Sequence, residues 1–565
     1  MKRVYIILLL FAGLTACEKT GKEKAQQPSL LDPAIMADEQ GIEALLKDAY
    51  TRVDGPSAGS MGAIWYNRGT NWLFGDVYAD DAGLGEMAAG NAHLRAFAEF
   101  ESSADNPFYS DKWLSTFDGI ARCNEVLRVL KLATEKETIS RELAVQIAAE
   151  ARFLRAYFHF EAIKIWENIT YLTEADDAPG GVGENIPWVE TAADFQYALE
   201  HLSEKPRKNQ EGRVTKYAAA GMLARVKLYQ GDYAGALPLL NLIIESGAYS
   251  LAENYTDNFG AGAGFAQESV FQVLRQDTGN SSEGYQNSFD ELAGADANTA
   301  PDGCCGLYRP SQNLVNTFKT KDGLPYLAIF GMEQNAAGDD LKSDEGLAST
   351  ASFAPDSREL DPRLDWTVGR RGIPYYDWGT HPGTDWVKPT DFGSPFSTKK
   401  NVTPREIVHE NTSASGWGGA VTMSNYSLLR YADVLLMAAE CEVEAGNLDR
   451  AREWVNIVRA RASNNEYWVK DEQGHPAANY AIRIYKKGSD TDPFGTKDGA
   501  REAVRVERRL ELGLEGLRFW DLKRWGVAGE TIDKYLRIEK RPHLKNIVFN
   551  ADKLKHPVPV TVGGE

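Results

Sequence analysis

Residues 505–512 read Arg505-Val506-Glu507-Arg508-Arg509-Leu510-Glu511-Leu512, and two residues later the chain continues Glu515-Gly516-Leu517-Arg518-Phe519-Trp520-Asp521-Leu522-Lys523-Arg524-Trp525. Val504, Leu510 and Leu514 fall where one helix would turn them inward, while the interleaved Arg and Glu side chains offer local ion pairs and caps. Gly516 fits a C-terminal stop between two helices. An arginine-rich active site is the sharper alternative, but guanidiniums so closely interleaved with carboxylates are more often paired than poised for a ligand. The stretch therefore predicts a clamp within a helical core, and no catalytic role is assigned to it.

Outward from this stretch, the chain is written in helices. Asp38 caps a segment whose apolar residues Ile42, Leu45, Leu46, Ala49 and Tyr50 share one helical face. From Ser140 to Asn168, Leu143, Ile147, Ala151, Leu154, Phe158, Ala162 and Ile165 advance by three or four, with Arg152, Arg155 and Glu161 off that face. Tyr217 to Ile244 reads as a helical hairpin broken at Gly231-Asp232, and Tyr431 to Ala462 repeats it around Gly446-Asn447. Small residues at the crossings and the Gly-Asp or Gly-Asn turn look like tetratricopeptide repeats. Yet the two turns lie 215 residues apart, far from the roughly 34-residue period of a tandem array, so a continuous solenoid is not expected. Residues 249–427, rich in Gly, Pro, Asp, Asn and aromatics, read as a long irregular insertion with short strands such as Ser269 to Leu274.

The chain has 565 residues, 43% of them hydrophobic, and a formal net charge of -19. That composition belongs to a folded globular protein, and the acidic balance repels phosphate backbones, so no nucleic-acid partner is expected. Five cysteines are too few for a disulfide scaffold, and none has zinc-ligand spacing. Met1-Lys2-Arg3 followed by the apolar run Val4 to Leu14 is the grammar of a signal peptide, too short to span a bilayer. Leu14-Thr15-Ala16-Cys17 resembles the bacterial lipobox, which makes Cys17 the lipidated first residue of the exported chain. Residues 1–16 are then a signal peptide and 17–30 a polar tether, ahead of an N-terminal region 31–248 and a C-terminal region 249–565.

Catalytic motifs are weak. Gly55-Pro56-Ser57-Ala58-Gly59 matches the nucleophile-elbow pattern, but that motif needs a strand before it and a helix is expected there instead. No HExxH, Walker A or EF-hand loop is present, and neither a metal nor a cofactor is expected. Cys304-Cys305 is either a vicinal disulfide or two thiols in a tight loop, with no function assigned.

Taken together, the 505–525 stretch closely resembles the signature of the SusD/RagB family of outer-membrane nutrient-binding lipoproteins. Three further segments agree and stand in the family's order: Ala149 to Phe158, Asp361-Pro362-Arg363-Leu364, and Ser427 to Leu436. Two segments depart from it. Where many members carry Trp-Gly-x-Val-Pro, this chain has Trp166-Glu167-Asn168-Ile169-Thr170, and its end from His556 to Glu565 lacks the usual asparagine-rich closing segment.

The resemblance implies a mainly α, SusD-like fold with four tetratricopeptide-like helix pairs and a long irregular insertion. It also implies a non-enzymatic lipoprotein on the outer membrane, facing the exterior, that captures a nutrient and acts as the lid of a TonB-dependent, SusC-like barrel transporter. Family ligands are mostly glycans, although some members bind peptides. Sugar recognition uses flat aromatic faces ringed by carboxamides and carboxylates. The sequence holds such clusters at Trp65, Asn67 and Trp72, at Tyr285 and Tyr308, and at Tyr375, Trp378 and Trp386. In the family, contacts come from the loop after the first helix and from the mid-chain insertion, which favours Trp72 with Tyr285 or Tyr308 as a second platform. The Tyr375 to Trp386 cluster directly follows the 361–364 run and is as readily packing. A secreted glycan hydrolase and a lipoprotein scaffold for protein contacts are the alternatives.

Overall fold

The computed structural model describes residues 33–55, 70–176, 180–259, 267–274, 301, 307–400, 402, 404–407, 412–414, 420–422 and 425–560. Its frame is a stack of helices: α1 (Glu39–Thr51), α2 (Pro107–Glu135), α3 (Arg141–Trp166), α4 (Trp188–His201), α5 (Lys216–Tyr229), α6 (Tyr233–Glu245), α7 (Tyr431–Ala445) and α8 (Leu448–Ala462). Each packs on the next in that order, which groups them as the pairs α1/α2, α3/α4, α5/α6 and α7/α8, except that α1 lies against α2 across the chain between them. The caps follow the sequence. Asp38 accepts from the Gly41 amide and Ser140 from Leu143, while Gly231 and Gly446 take φ of 73° and 86° at the hairpin turns. Asp232 then caps α6 through the Gly235 amide at 2.8 Å.

Two features of the stack escape periodicity. The 215-residue gap between the hairpin turns does not separate them in space, because α6 packs directly on α7 and the insertion merely leaves the stack and returns. The polar side of α3 does not face water either: Phe153 to Trp166 is buried on every side. Arg155 grips Asp194 of α4 through two bonds of 2.6 and 3.1 Å, and Glu161 pairs with Lys164 at 2.6 Å. Buried charge is tolerated where it is paired and hydrogen-bonded.

The signature lies on α9 (Lys497–Leu512) and α10 (Arg518–Arg524), followed by α11 (Ala528–Ile538). Val504, Leu510 and Leu514 are buried as expected. The helix ends earlier than Gly516, however. Gly513 caps α9, Leu514 sits past its end with φ 64°, and Gly516 takes φ 70° in the link to α10. Glu167, which stands at the family's glycine, is also left-handed, with φ 62°, and Lys523 of α10 reaches it at 2.9 Å.

Short antiparallel strands tie the insertion to the stack. They include, in chain order, β1 (Ala82–Leu84), β2 (Ser269–Val273), β3 (Tyr308–Pro310), β4 (Val368–Gly369), β5 (Ser397–Thr398) and β6 (Tyr426–Arg430). β6 pairs with β2 immediately before α7, β1 with β3, and β4 with β5. Among the described residues no helix is long and apolar enough to cross a membrane.

Candidate ligand-binding site

Three of the four signature segments, 361–364, 427–436 and 505–525, converge on one buried ion cluster, while Arg155 of the fourth pairs with Asp194 and Glu174. Glu511 accepts from Arg363 at 3.0 Å and Arg430 at 2.7 Å, and pairs with Arg461. Glu507 holds Arg363 at 2.7 Å and Arg459 at 2.8 Å. Glu515 holds Arg430 at 2.9 Å and Lys400 at 2.6 Å. Asp361 and Glu268 complete it through Arg363 and Arg430. Burial raises the Glu511 carboxyl, but Arg461, Arg430 and Arg363 outweigh that and hold it well below the ordinary glutamate range. A clamp is present as expected, but it is not local: Glu507, Glu511 and Glu515 come from 505–525 and all its cations from other segments, because the pairing is made by tertiary packing.

The clamp carries the first candidate site. Gly516 donates its amide to Asp76 at 3.0 Å. Arg518 binds Asp80 at 2.7 and 3.1 Å, and Arg509 binds Asp81 at 2.8 Å. Thus Thr70 to Leu84 is fastened to the α9–α10 link. Contact is backbone on backbone: a Cβ on Gly75 would lie 2.0 Å from the Gly516 carbonyl oxygen, and one on Gly516 would lie 1.8 Å from that of Thr70. Within this segment Trp72–Val77 forms a π-helical turn. Asn71, with φ 52°, enters it and ties it to α2 and α3 through Lys112 at 3.0 Å and Glu161 at 2.8 Å.

Trp72 projects from this turn onto Tyr308, which β1–β3 pairing brings alongside: Leu84 lies opposite Tyr308, and the two rings stack at 5.2 Å with 25° between planes. The expected pair of platforms is therefore brought together, but the rings face each other. Trp72 is 1% and Tyr308 4% exposed, so the pair forms part of the core in this structure. Replacing Trp72 with alanine should lower stability by about 3–5 kcal/mol, as large-to-small core changes do. Urea unfolding measures this, and an unchanged midpoint would restore Trp72 to the surface.

The second aromatic cluster adjoins the first. β3 packs beside β5, the Arg309 guanidinium donates to the Lys388 carbonyl at 2.7 Å, and the Leu84 amide donates to that of Phe392 at 3.0 Å. On this shelf the Tyr375 hydroxyl donates to the Thr398 carbonyl, and Trp386 meets Tyr375 edge-on at 5.6 Å. Tyr375 and Trp386 are 1% and 7% exposed. Trp378 is half-buried at the margin, with the Arg405 guanidinium 5.8 Å from its ring centre. Exposed Asp377 beside it accepts the amides of Arg405 and Glu406 at 2.6 and 2.7 Å. Trp65, Asn67, Tyr285, Cys17, Ser57, Cys304 and Cys305 lie outside the described residues. Among those that are described, no group of His, Cys, Asp and Glu is arranged to hold a metal ion.

Sequence reasoning passed over Lys399 beneath this shelf. Its ammonium lies 4.7, 5.3 and 5.6 Å from the ring centres of Trp366, Tyr376 and Tyr375. It donates to the carbonyls of Asp365 at 2.6 Å and Pro374 at 2.8 Å. Burial, opposed by Asp365 and aided by Arg370, pushes it down from 10.5 to about 7. Between those values the unfolded chain binds more protons than the folded one, so this group makes stability rise with pH from about 7 toward 10. Lys399→Met should remove that rise. The wild type should gain on the variant by something on the order of 3 kcal/mol across the window, read from urea unfolding at several pH values. A difference independent of pH would contradict it.

Known proteins place this architecture. The SusD family model matches residues 267–553, and a model described as starch-binding associating with outer membrane matches residues 60–228. SusD-like protein P25 of Formosa agariphila is 25% identical over 461 residues, covering 80% of this chain and 76% of that protein. Surface glycan-binding protein A from Bacteroides thetaiotaomicron, solved with laminarihexaose, superposes with a TM-score of 0.65 over 93% of this chain and 97% of that one, at 18% identity. A SusD-like carbohydrate-binding protein from Bacteroides fragilis gives 0.64 over 94% and 98%, at 21% identity. Half of the chain falls under the family model and the helical stack is shared from end to end: the chain belongs to the SusD family.

Proposed function

We propose that this protein is a lipoprotein anchored through Cys17 at the outer-membrane surface, where it binds an oligosaccharide and closes over a TonB-dependent, SusC-like barrel as its lid. The observation that carries this reading is membership of the SusD family, joined to a fold shared over 93% of the chain with a protein solved holding laminarihexaose. The geometry supports retention rather than hydrolysis. Asp80 and Asp81, which follow the Trp72 turn, are engaged by Arg518 and Arg509, and Asp76 within it is buried against the Gly516 amide, so none of these three carboxyls is open to a sugar from solvent.

Trp378 is the described aromatic candidate left at a margin, and we assign it the sugar-stacking role, with Asp377 accepting hydroxyls and Trp65, Asn67 and Tyr285 as further candidates. Trp72, Tyr308, Tyr375 and Trp386 then build the shelf behind it. Titration with laminarihexaose and other oligosaccharides tests the assignment. Trp378→Ala should lose several-fold to about tenfold in affinity, the worth of one aromatic contact, with an unchanged melting temperature. Unchanged affinity would remove Trp378 from the site. For the lid, the chain purified from its own outer membrane should bring a barrel transporter with it, and recovery of the chain alone would contradict that role.

A further inference from the structure

Of the five arginines in the signature, four are paired with carboxylates outside the clamp and the fifth is not. Arg508 is shared by Asp433 and Asp521, Arg509 by Asp80 and Asp81, Arg518 binds Asp80, and Arg524 binds Glu440 and Asp521. Arg505 makes no ion pair or hydrogen bond among the described residues. Its guanidinium lies 5.0 Å from the centre of the Trp525 ring, and Arg524 lies at the same distance from that ring. The indole N–H is held by Glu440 at 2.9 Å, so the ring is fixed and Arg505 is oriented by it. Burial lowers the Arg505 guanidinium, and Arg524 and Arg501 lower it further against the attraction of Glu440 and Tyr233. The charge thus sits half-buried, felt by Glu440 but with no direct ion pair among the described residues.

It opens into a groove of about 520 Å³ between α9, α10 and the start of α11. That volume falls within the range of small-ligand sites. The lining mixes a short apolar strip, Leu522 and Val527, with hydrogen-bonding groups suited to hydroxyls. Gln334 reaches it with a buried side-chain amide nitrogen that has no partner, and Thr531 adds a hydroxyl. The acids present are Glu502, which is taken by the amides of Ala328 and Ile329, Asp498, which pairs with Arg501, and exposed Glu530. None of these reaches Arg505. A lining that mixes apolar surface (Val506, Leu522, Trp525, Val527) and hydrogen-bonding groups in about equal parts, with one guanidinium free of an ion pair among the described residues, suits a sugar, whose C–H faces and hydroxyls alternate.

We infer that this groove is a second saccharide site, separate from the aromatic shelf, which takes a carboxylate-bearing sugar, a uronate, with Arg505 gripping the carboxylate through the N–H edge left open by its stack on Trp525. The Gln334 amide donates to a neighbouring ring oxygen or hydroxyl. The inference rests on the chain being a saccharide binder but not on the role of Trp378.

The test is calorimetric titration of the full-length chain in detergent with trisaccharides of galacturonate, glucuronate and guluronate, their methyl esters, laminarihexaose and a glutamate tripeptide. At least one uronate should bind, its methyl ester should bind at least tenfold more weakly, and added salt should weaken the acid form alone. Arg505→Gln should lower uronate affinity about tenfold or more while leaving the melting temperature and laminarihexaose binding unchanged. Arg505→Lys should recover part of the loss, and Trp378→Ala should leave uronate binding intact. The inference is overturned if no uronate binds, if acid and ester bind alike, if Arg505→Gln binds as wild type, or if the glutamate peptide binds and the uronates do not. Laminarihexaose binding without uronate binding refutes this site and leaves the proposed function standing, whereas absence of every saccharide refutes both.

Discussion

Replacing Glu511 with glutamine should destabilise the protein by about 3–5 kcal/mol, the range seen when one member of a buried ion cluster is neutralised. The substitution keeps the shape of the side chain, removes its charge and turns one accepting oxygen into a donating amide, so a guanidinium contact is lost as well. Arg363, Arg430 and Arg461 all converge on that carboxylate, and each is nearly completely buried. Around it five carboxylates (Glu268, Asp361, Glu507, Glu511 and Glu515) meet five cations (Arg363, Arg430, Arg459, Arg461 and Lys400). Loss of one negative charge therefore leaves an unbalanced guanidinium that water cannot reach. Urea unfolding with an unchanged m-value would report the loss. A change below about 1 kcal/mol would mean that the cluster behaves as a set of surface pairs and does not hold the fold. Because the carboxyl is held below its ordinary range, the same stabilisation is present above the unfolded pKa near 4.5 and is lost as pH falls through the folded value.

Gly516→Ala is the second large effect. Two physical terms add: a non-glycine residue in the left-handed region, at roughly 1–2 kcal/mol, and forced movement of backbone, at about 1–3 kcal/mol. The new Cβ would lie 1.8 Å from the Thr70 carbonyl oxygen, which cannot rotate away as a side-chain tip can. Gly526 separates the two terms. It has the same φ of 70° with nothing within 4 Å of its Cβ position, so Gly526→Ala should show only the first term. Since Thr70 leads directly into the Trp72 turn, Gly516→Ala should also weaken the near-UV circular dichroism of the Trp72–Tyr308 stack, and Gly526→Ala should not. Equal effects of the two substitutions would contradict the close packing between the signature link and that turn.

These residues also mark where sequence reading succeeds and where it stops. Helical spacing in Leu223, Leu228, Leu240 and Ile243, with Gly231 and Asp232 between, specifies a hairpin because backbone geometry alone maps those positions to one face. The interleaved Arg and Glu of 505–525 announce that these charges are paired but not with what: Glu507, Glu511 and Glu515 take Arg363, Arg430, Arg459, Arg461 and Lys400 from elsewhere in the chain, and Asp521 is the one acid of the stretch that its arginines reach. Burial of Arg155 and Glu161 is not legible: Lys164 stands at helical spacing from Glu161, but Asp194 and Asn71, which cover the two from outside the helix, are brought close only by tertiary packing. The same holds for Trp72. A tryptophan in an irregular loop has no periodicity to say whether it faces water, and its neighbour Tyr308 is 236 residues away in the chain. Arg505 illustrates the limit from the other side. In sequence it is one arginine among several, and it stands out only once the partners of Arg508, Arg509, Arg518 and Arg524 have been assigned in space. Lys399 could not have been found by any spacing rule, because its aromatic surroundings come from Trp366, Tyr375 and Tyr376 on different turns of the insertion.

The proposed function requires that the chain retain an oligosaccharide without altering it. The most direct measurement is titration of the full-length chain in detergent against a panel of neutral and acidic oligosaccharides, with reducing ends counted in the same samples after prolonged incubation. Saturable binding of at least one oligosaccharide is expected, with no increase in reducing ends. Reducing ends that grow in proportion to protein, or binding of peptides with no binding of any saccharide, would contradict it.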